Sequence, residues 1–178
     1  STCNVILSLA KGQYLQIFGH DDFMLPGKIT DDVNLFEKLN EDVAFIYSEM
    51  KLMNEEGDLI NETYNQRIEY DGNISSDLFK DLIHKNFIPA PTVLIRVSAI
   101  KKIGGYDESL FFEHWDIWLR LAKEYKVLYH NVANVLYRIH SGSMMSNKDK
   151  GIEIERNQAS IRMFLKHIGY RSNYDEEL

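Results

Sequence analysis

Apolar and polar positions change period several times along the chain, and each change marks an element. From Asn4 to Lys11, Val5, Ile6, Leu9 and Ala10 recur at helical spacing until Gly12 stops the pattern. Tyr14 to Phe18, "YLQIF", has the aromatic and branched composition of an interior strand. Pro26 then opens a helix to about Asn40, with Ile29, Val33 and Phe36 on one stripe. "VAFIYSEMKLMN" reads as a strand, and Glu56-Gly57 as a tight turn into "DLINETY".

The pattern continues in the second half. Asp71 to Lys85 predicts a helix with Leu78 and Leu82 inward, and "NFIPAPTVLIR" a loop with two prolines running into a strand. Ser98 is placed to cap a short helix, "AIKKI", which Gly104-Gly105 ends. Glu113 to Lys126 carries Trp118, Leu121, Ala122 and Tyr125 on one side of a helix, and "VLYHNVANVLYRIH" gives one or two short strands. Gly151 to Ile168 sets Ile154, Ile161, Leu165 and Ile168 on one stripe of a peripheral amphipathic helix, before a polar, frayed tail.

Composition narrows the class. With 178 residues, 44% of them hydrophobic, the chain can bury one core of its own. A net charge of -7 argues against a nucleic-acid groove, which is built from clustered Lys and Arg. A single cysteine, Cys3, excludes an internal disulfide framework or a cysteine-built zinc site and points to a reducing, cytoplasmic setting. The apolar runs are too short to span a bilayer, so the sequons at Asn61 and Asn73 carry no weight.

Three polar clusters fall where regular elements end: His20-Asp21-Asp22, then Glu113-His114-Trp115-Asp116, then Arg138 and His140 with Ser141, Ser143 and Ser146. Adjacent carboxylates behind a buried strand suit a hard divalent cation such as Mg²⁺ or Mn²⁺, or they simply cap the helix that starts near Pro26. Acids at the start of the Glu113 helix equally suit its dipole. Trp115 and Trp118 cannot share one helix face, so one of them is free to line a pocket, and a ring beside a carboxylate suits a sugar. His140 is a metal ligand, a phosphate donor or a satisfied structural histidine. Arg138 and the serines offer the donors that an anion or diphosphate needs.

Taken in order, these segments resemble glycosyltransferase family 2, with its GT-A fold. "LSLAKGQYLQIFGHDDFMLPGKI" is similar to the family's A-x-G-x-Y-hydrophobic-D-x-D-D-x-x-x-P segment. "VLIRVSAIKKIGGYDESLFFEHWDIWLRLAKEYK" resembles its G-G-F/Y-D-E to E-D-x-D-L-W-L-R acceptor segment, and "YRIHSGSMMSN" its Y-R-x-H-x-x-S-x-S loop. The match runs over roughly residues 2 to 147 in family order. Family members carry a further N-terminal portion that holds the nucleotide base, so the chain is expected to be the back half of a transferase: a truncated GT-A, with a Rossmann-like mixed sheet flanked by helices. Residues 1–150 would form the acceptor and metal half, and 151–178 a terminal helix and tail.

The resemblance implies roles. Asp21 and Asp22 become the metal and nucleotide-sugar carboxylates, with Asp22 the preferred direct ligand, although Gly19 stands where the family's first Asp is common. Arg138, His140 and Ser143 fall to the diphosphate, with His140 a second metal ligand. Glu113 matches the Glu of the E-D pair, His114 occupies the place of the usual Asp base, and Asp116 matches the acid two residues on. The implied reaction is inverting and uses Mn²⁺ or Mg²⁺. It moves a sugar from a nucleoside diphosphate donor, most often a UDP-sugar, to a glycan or lipid-linked acceptor, as in cell-surface polysaccharide synthesis. Peripheral association with the inner face of a membrane follows, and so does self-association through an apolar face left by the missing half. A non-catalytic sugar-binding remnant, or an HD-type metal phosphohydrolase built on His20-Asp21, are the competing readings.

Overall fold

The computed structural model describes residues 2–70, 77–110, 113–142 and 150–170. In chain order the elements are α1 (Thr2–Leu9), β1 (Tyr14–Gln16), β2 (Phe23–Met24), α2 (Lys28–Phe36), β3 (Val43–Met53), β4 (Leu59–Thr63), α3 (Tyr64–Arg67), α4 (Leu78–His84), β5 (Leu94–Arg96), α5 (Val97–Lys102), α6 (Glu113–Ala122), β6 (Lys126–Arg138) and α7 (Lys150–Leu165). A 3-10 turn at Ala90–Thr92 absorbs the prolines ahead of β5. The start of the helix expected from Asp71, Ser143, Ser146 and the tail beyond Tyr170 lie outside the described residues.

The strands form one mixed sheet in the order β1-β5-β3-β6-β2. β3 is its spine: it runs parallel to β6 along its length, while its other edge takes β5 in the first half and β4 in the second, both antiparallel. The apolar run of β3 is explained by burial on both faces. Phe45 and Tyr47 join a large core with Leu7 of α1, Phe79 and Leu82 of α4, Ile100 of α5, Trp118 of α6 and Met163 of α7. Ile46 and Leu94 point the other way, onto Phe36 of α2. Helices thus cover both faces of the sheet, the mixed α/β layering expected from the sequence.

β6 is one strand with irregularities rather than two. Ser48 stands opposite His130, but the next residue, Glu49, stands opposite Ala133. The extra residues Asn131 and Val132 bulge out, and Ser48 Oγ donates to Asn134 Oδ1 at 2.7 Å beside them. This offset sets which residues reach the far end of the sheet, where Met53 meets Arg138.

Several local expectations shift. α2 begins at Lys28, with Gly27 in the left-handed region (φ 90°) as its N-cap and no side chain capping it. Lys28 is then buried, and its ammonium donates to Thr92 O at 2.8 Å and to Asp32, whose other oxygen meets His130 Nδ1 at 2.9 Å. Ser98 is not a cap: α5 starts two residues earlier than expected, at Val97 with Arg96 as its N-cap, because the strand-like backbone of β5 passes directly into the helix. The expected apolar stripe faces solvent, and α7 ends at Leu165, which leaves Ile168 in the turn beyond it. Ile154, Ile161, Leu165 and Ile168 are 57%, 59%, 58% and 54% exposed, while Ala159 and Met163 are the buried contacts. Among the described residues no helix is long and apolar enough to cross a membrane.

Candidate functional site

β2, only two residues long, decides the site. It pairs antiparallel with β6, Phe23 opposite Leu136 and Met24 opposite Val135. Continuing that register outward sets Asp22 beside Tyr137 and Asp21 beside Arg138. Asp22 Oδ1 accordingly accepts from the Arg138 backbone N–H at 3.1 Å. Asp21 Oδ2 meets His140 Nε2 at 2.9 Å. The Arg138 guanidinium ties the corner together, donating to Asp21 O at 3.2 Å, Asn54 O at 3.2 Å and Glu55 O at 2.6 Å. Ser141 N donates to Glu55 Oε1 at 2.6 Å. The sequence pattern ends a strand at Asn54 and marks Glu56-Gly57 only as a tight turn. Asn54 and Glu55 enter the site because β3 and β6 end side by side, a consequence of the register.

The aspartates are therefore not caps of α2, since β2 stands between them and that helix. Each anchors one carboxylate oxygen and turns the other toward Gly19. A Cβ on Gly19 would lie 2.9 Å from Asp22 Oδ2 and 3.0 Å from Asp21 Oδ1. Two hard oxygens thus converge on space that any other residue at position 19 would fill. The pair is electrostatically split. Burial pushes the Asp22 carboxyl up, opposed by the Arg138 amide and reinforced by the neighbouring Asp21 charge. Burial also acts to raise Asp21, but its own backbone amide, His140 and His20 together hold it below the ordinary value. The two neighbouring carboxylates are thus pushed in opposite directions, a pattern that active sites share with structural ion-pair networks. His20-Asp21 lies on a bend, not on a helix as an HD-type metal pair requires.

The residues expected at the base position stand on the first turn of α6. Glu113 Oε1 accepts the Cys3 thiol at 3.0 Å, which brings α1 against it. His114 sits edge-on to Tyr106, centroids 5.5 Å apart, and burial pushes its pKa down, so its imidazole is neutral at working pH. Asp116 is fully buried, taking Arg120 Nε at 2.7 Å and Lys166 Nζ at 2.7 Å. Trp118 is buried, and Trp115 is the partly exposed one of the pair. Trp118 packs on Phe45, and Trp115 donates Nε1 to Leu82 O at 2.8 Å under the edge of Phe164. The structure thus brings Asp21, Asp22, Arg138 and His140 into one cluster and holds Glu113, His114 and Asp116 in another. Ser143 lies outside the described residues.

The model of the family described as "Glycosyltransferase like family 2" matches residues 2–175. The chain belongs to this family. Its mixed sheet with flanking helices is accordingly GT-A-like. An uncharacterized glycosyltransferase of Rickettsia typhi is 25% identical over 94% of the chain and 52% of its own length. The UDP-Glc:alpha-D-GlcNAc-diphosphoundecaprenol beta-1,3-glucosyltransferase WfaP of Escherichia coli is 26% identical over 96% of the chain and 61% of its own length. The O-antigen biosynthesis glycosyltransferase WbnJ of the same species is 27% identical over 92% and 61%. This family 2 chain therefore spans roughly half to three-fifths of the length of these three relatives.

Proposed function

We propose that this chain is the acceptor and metal half of an inverting glycosyltransferase that moves a sugar from a nucleoside diphosphate donor to a glycan or lipid-linked acceptor. The convergence of Asp21 and Asp22 over Gly19, with His140 and Arg138 behind them, is the observation that carries the reading. UDP is the favoured nucleotide and the cytoplasmic face of a membrane the favoured place, in keeping with the action of WfaP on a diphosphoundecaprenol-linked acceptor.

The acid pair fits Mn²⁺ or Mg²⁺. Among the described residues no three His, Cys, Asp or Glu side chains form a metal-holding group. Such ions are commonly held by one or two carboxylates together with substrate phosphates. Asp22 Oδ2 and Asp21 Oδ1 would be the protein's oxygens, with Asp22 the direct ligand and His140 orienting Asp21. A cation there would offset the charge growing on the departing nucleoside diphosphate.

The chain's own residues supply the rest. Arg138 holds the acid loop against the β3–β4 turn through Nε and Nη1, which leaves Nη2 as the donor it would offer a diphosphate. The proton of the acceptor hydroxyl passes to the first turn of α6, to Glu113 or to the neutral imidazole of His114. Asp116 serves the scaffold instead. Buried beneath Arg120 and Lys166, it clamps α6 to α7.

Transfer from labelled UDP-sugars to a diphosphate-lipid acceptor tests this, using the protein extended upstream to the length of its relatives. Metal-dependent transfer, lost on chelation and in a Glu113→Gln, His114→Ala double variant, supports the reading. Transfer unaffected by either change contradicts it.

A further inference from the structure

The outward face of α7 carries a second apolar stripe that nothing within the described chain covers. Ile154, Gln158, Ile161 and Leu165 follow one another at steps of four, three and four residues, the alternating spacing of a two-helix seam, and Ile168 lies in the turn just past the helix. All five are exposed, although α7 already buries its opposite face through Ala159 and Met163. A helix that is apolar on two sides has a second partner to meet.

The charges beside the stripe say which partner. Glu155 borders it in the first half of α7 and Arg162 in the second, and both are exposed. Laying a second α7 antiparallel sets Ile154 against Leu165 and Gln158 against Ile161 of the other copy, repeated by the two-fold axis. The same register brings Glu155 of each copy alongside Arg162 of the other, on the flank where such pairs form in antiparallel seams. A lipid surface would favour basic residues along both flanks of the apolar stripe. Here the flanking charges are balanced and ordered along the axis, so they complement a copy of themselves.

We infer that the chain forms an isologous dimer through antiparallel pairing of its α7 helices. The interface is a single helix pair, at the small end of protein interfaces (below about 1,200 Å²), and the dimer is reversible and concentration-dependent.

Sedimentation velocity of the 178-residue chain over a wide concentration range reads this directly. Ile161→Glu or Leu165→Glu, both solvent-facing and harmless to the fold, should weaken dimerisation at least tenfold. Glu155→Arg and Arg162→Glu should each weaken it, and the double exchange should restore it. A monomer throughout overturns the proposal. So does a dimer indifferent to all these changes, which would place the contact elsewhere, as on the exposed Val5, Ile6 and Leu9 of α1. Binding to anionic phospholipid vesicles that is lost in Ile161→Glu, by a chain that stays monomeric, would give the stripe to a membrane and overturn the proposal equally.

Discussion

Asp21 and His140 stand 119 residues apart in the chain and 2.9 Å apart in the fold. The contact exists because a two-residue strand, β2, pairs with the end of β6. That pairing turns one oxygen of each aspartate toward Gly19, and position 19 therefore tests the site without replacing its ligands.

Gly19→Ala should leave the fold intact, since its Cβ would meet only the ends of two carboxylates that can swing away. Cation affinity should fall about tenfold, the size seen when groups supporting a metal ligand are disturbed. Mn²⁺ titration beside thermal unfolding checks this, and unchanged affinity would show that the converging oxygens do not hold the ion.

Asp116 and Glu113 should separate cleanly. Asp116→Asn removes the anion that holds Arg120 and Lys166, and it should cost about 2–3 kcal/mol in a denaturant titration, since both cations keep some water. Glu113→Gln should cost far less stability. If Glu113 is the base, its loss lowers the rate of transfer instead. An Asp116→Asn protein as stable as the native chain would contradict the clamp.

His167 makes stability fall with acidity. It is buried in the turn that follows α7, edge-on to Phe79, and burial together with Lys123 pushes its pKa down to about 4. Below the ordinary value near 6.5 the unfolded chain takes a proton that the folded chain refuses. Stability is therefore fully present above about pH 6.5 and is lost as the pH falls toward 4, by roughly 3 kcal/mol. Asp107, held low by Lys166 and Ser109, adds a loss only in the more acidic range, below the ordinary carboxylate pKa. Denaturant midpoints between pH 7 and 4 should fall in the native chain and flatten in His167→Gln.

Cys3 offers an independent readout. Burial and the adjacent Glu113 push its thiol up to about 12, so it should resist alkylation at pH 8 and react only as α1 detaches. Rapid labelling under native conditions would contradict the packing of α1 on α6.

Most of the fold was legible in the sequence because its helices are periodic and β3 is an unbroken apolar run. The site was legible as a set of residue types, but not as a geometry. Nothing in "FMLPGK" announces that Phe23-Met24 is a strand, so Asp21 and Asp22 could equally have been helix caps. The bulge at Asn131 and Val132 is likewise silent, although it decides that Arg138 reaches Asn54 and Glu55. Period alone found the stripe on α7 and could not say which way it faced, because the buried face is built from small or mixed residues such as Ala159.

Whether Asp22 holds a metal beneath a nucleoside diphosphate is read most directly by calorimetric titration of UDP, with and without Mn²⁺. The titration takes this chain and a form extended upstream to the relatives' length, each beside its Asp22→Asn variant. The extended form should bind UDP only with Mn²⁺, and Asp22→Asn should weaken that binding at least about 100-fold, as expected for loss of a direct ligand beyond the 10–100-fold cost of a supporting one. UDP binding that ignores both Mn²⁺ and Asp22, or no binding in either form, would contradict the metal half proposed for this chain.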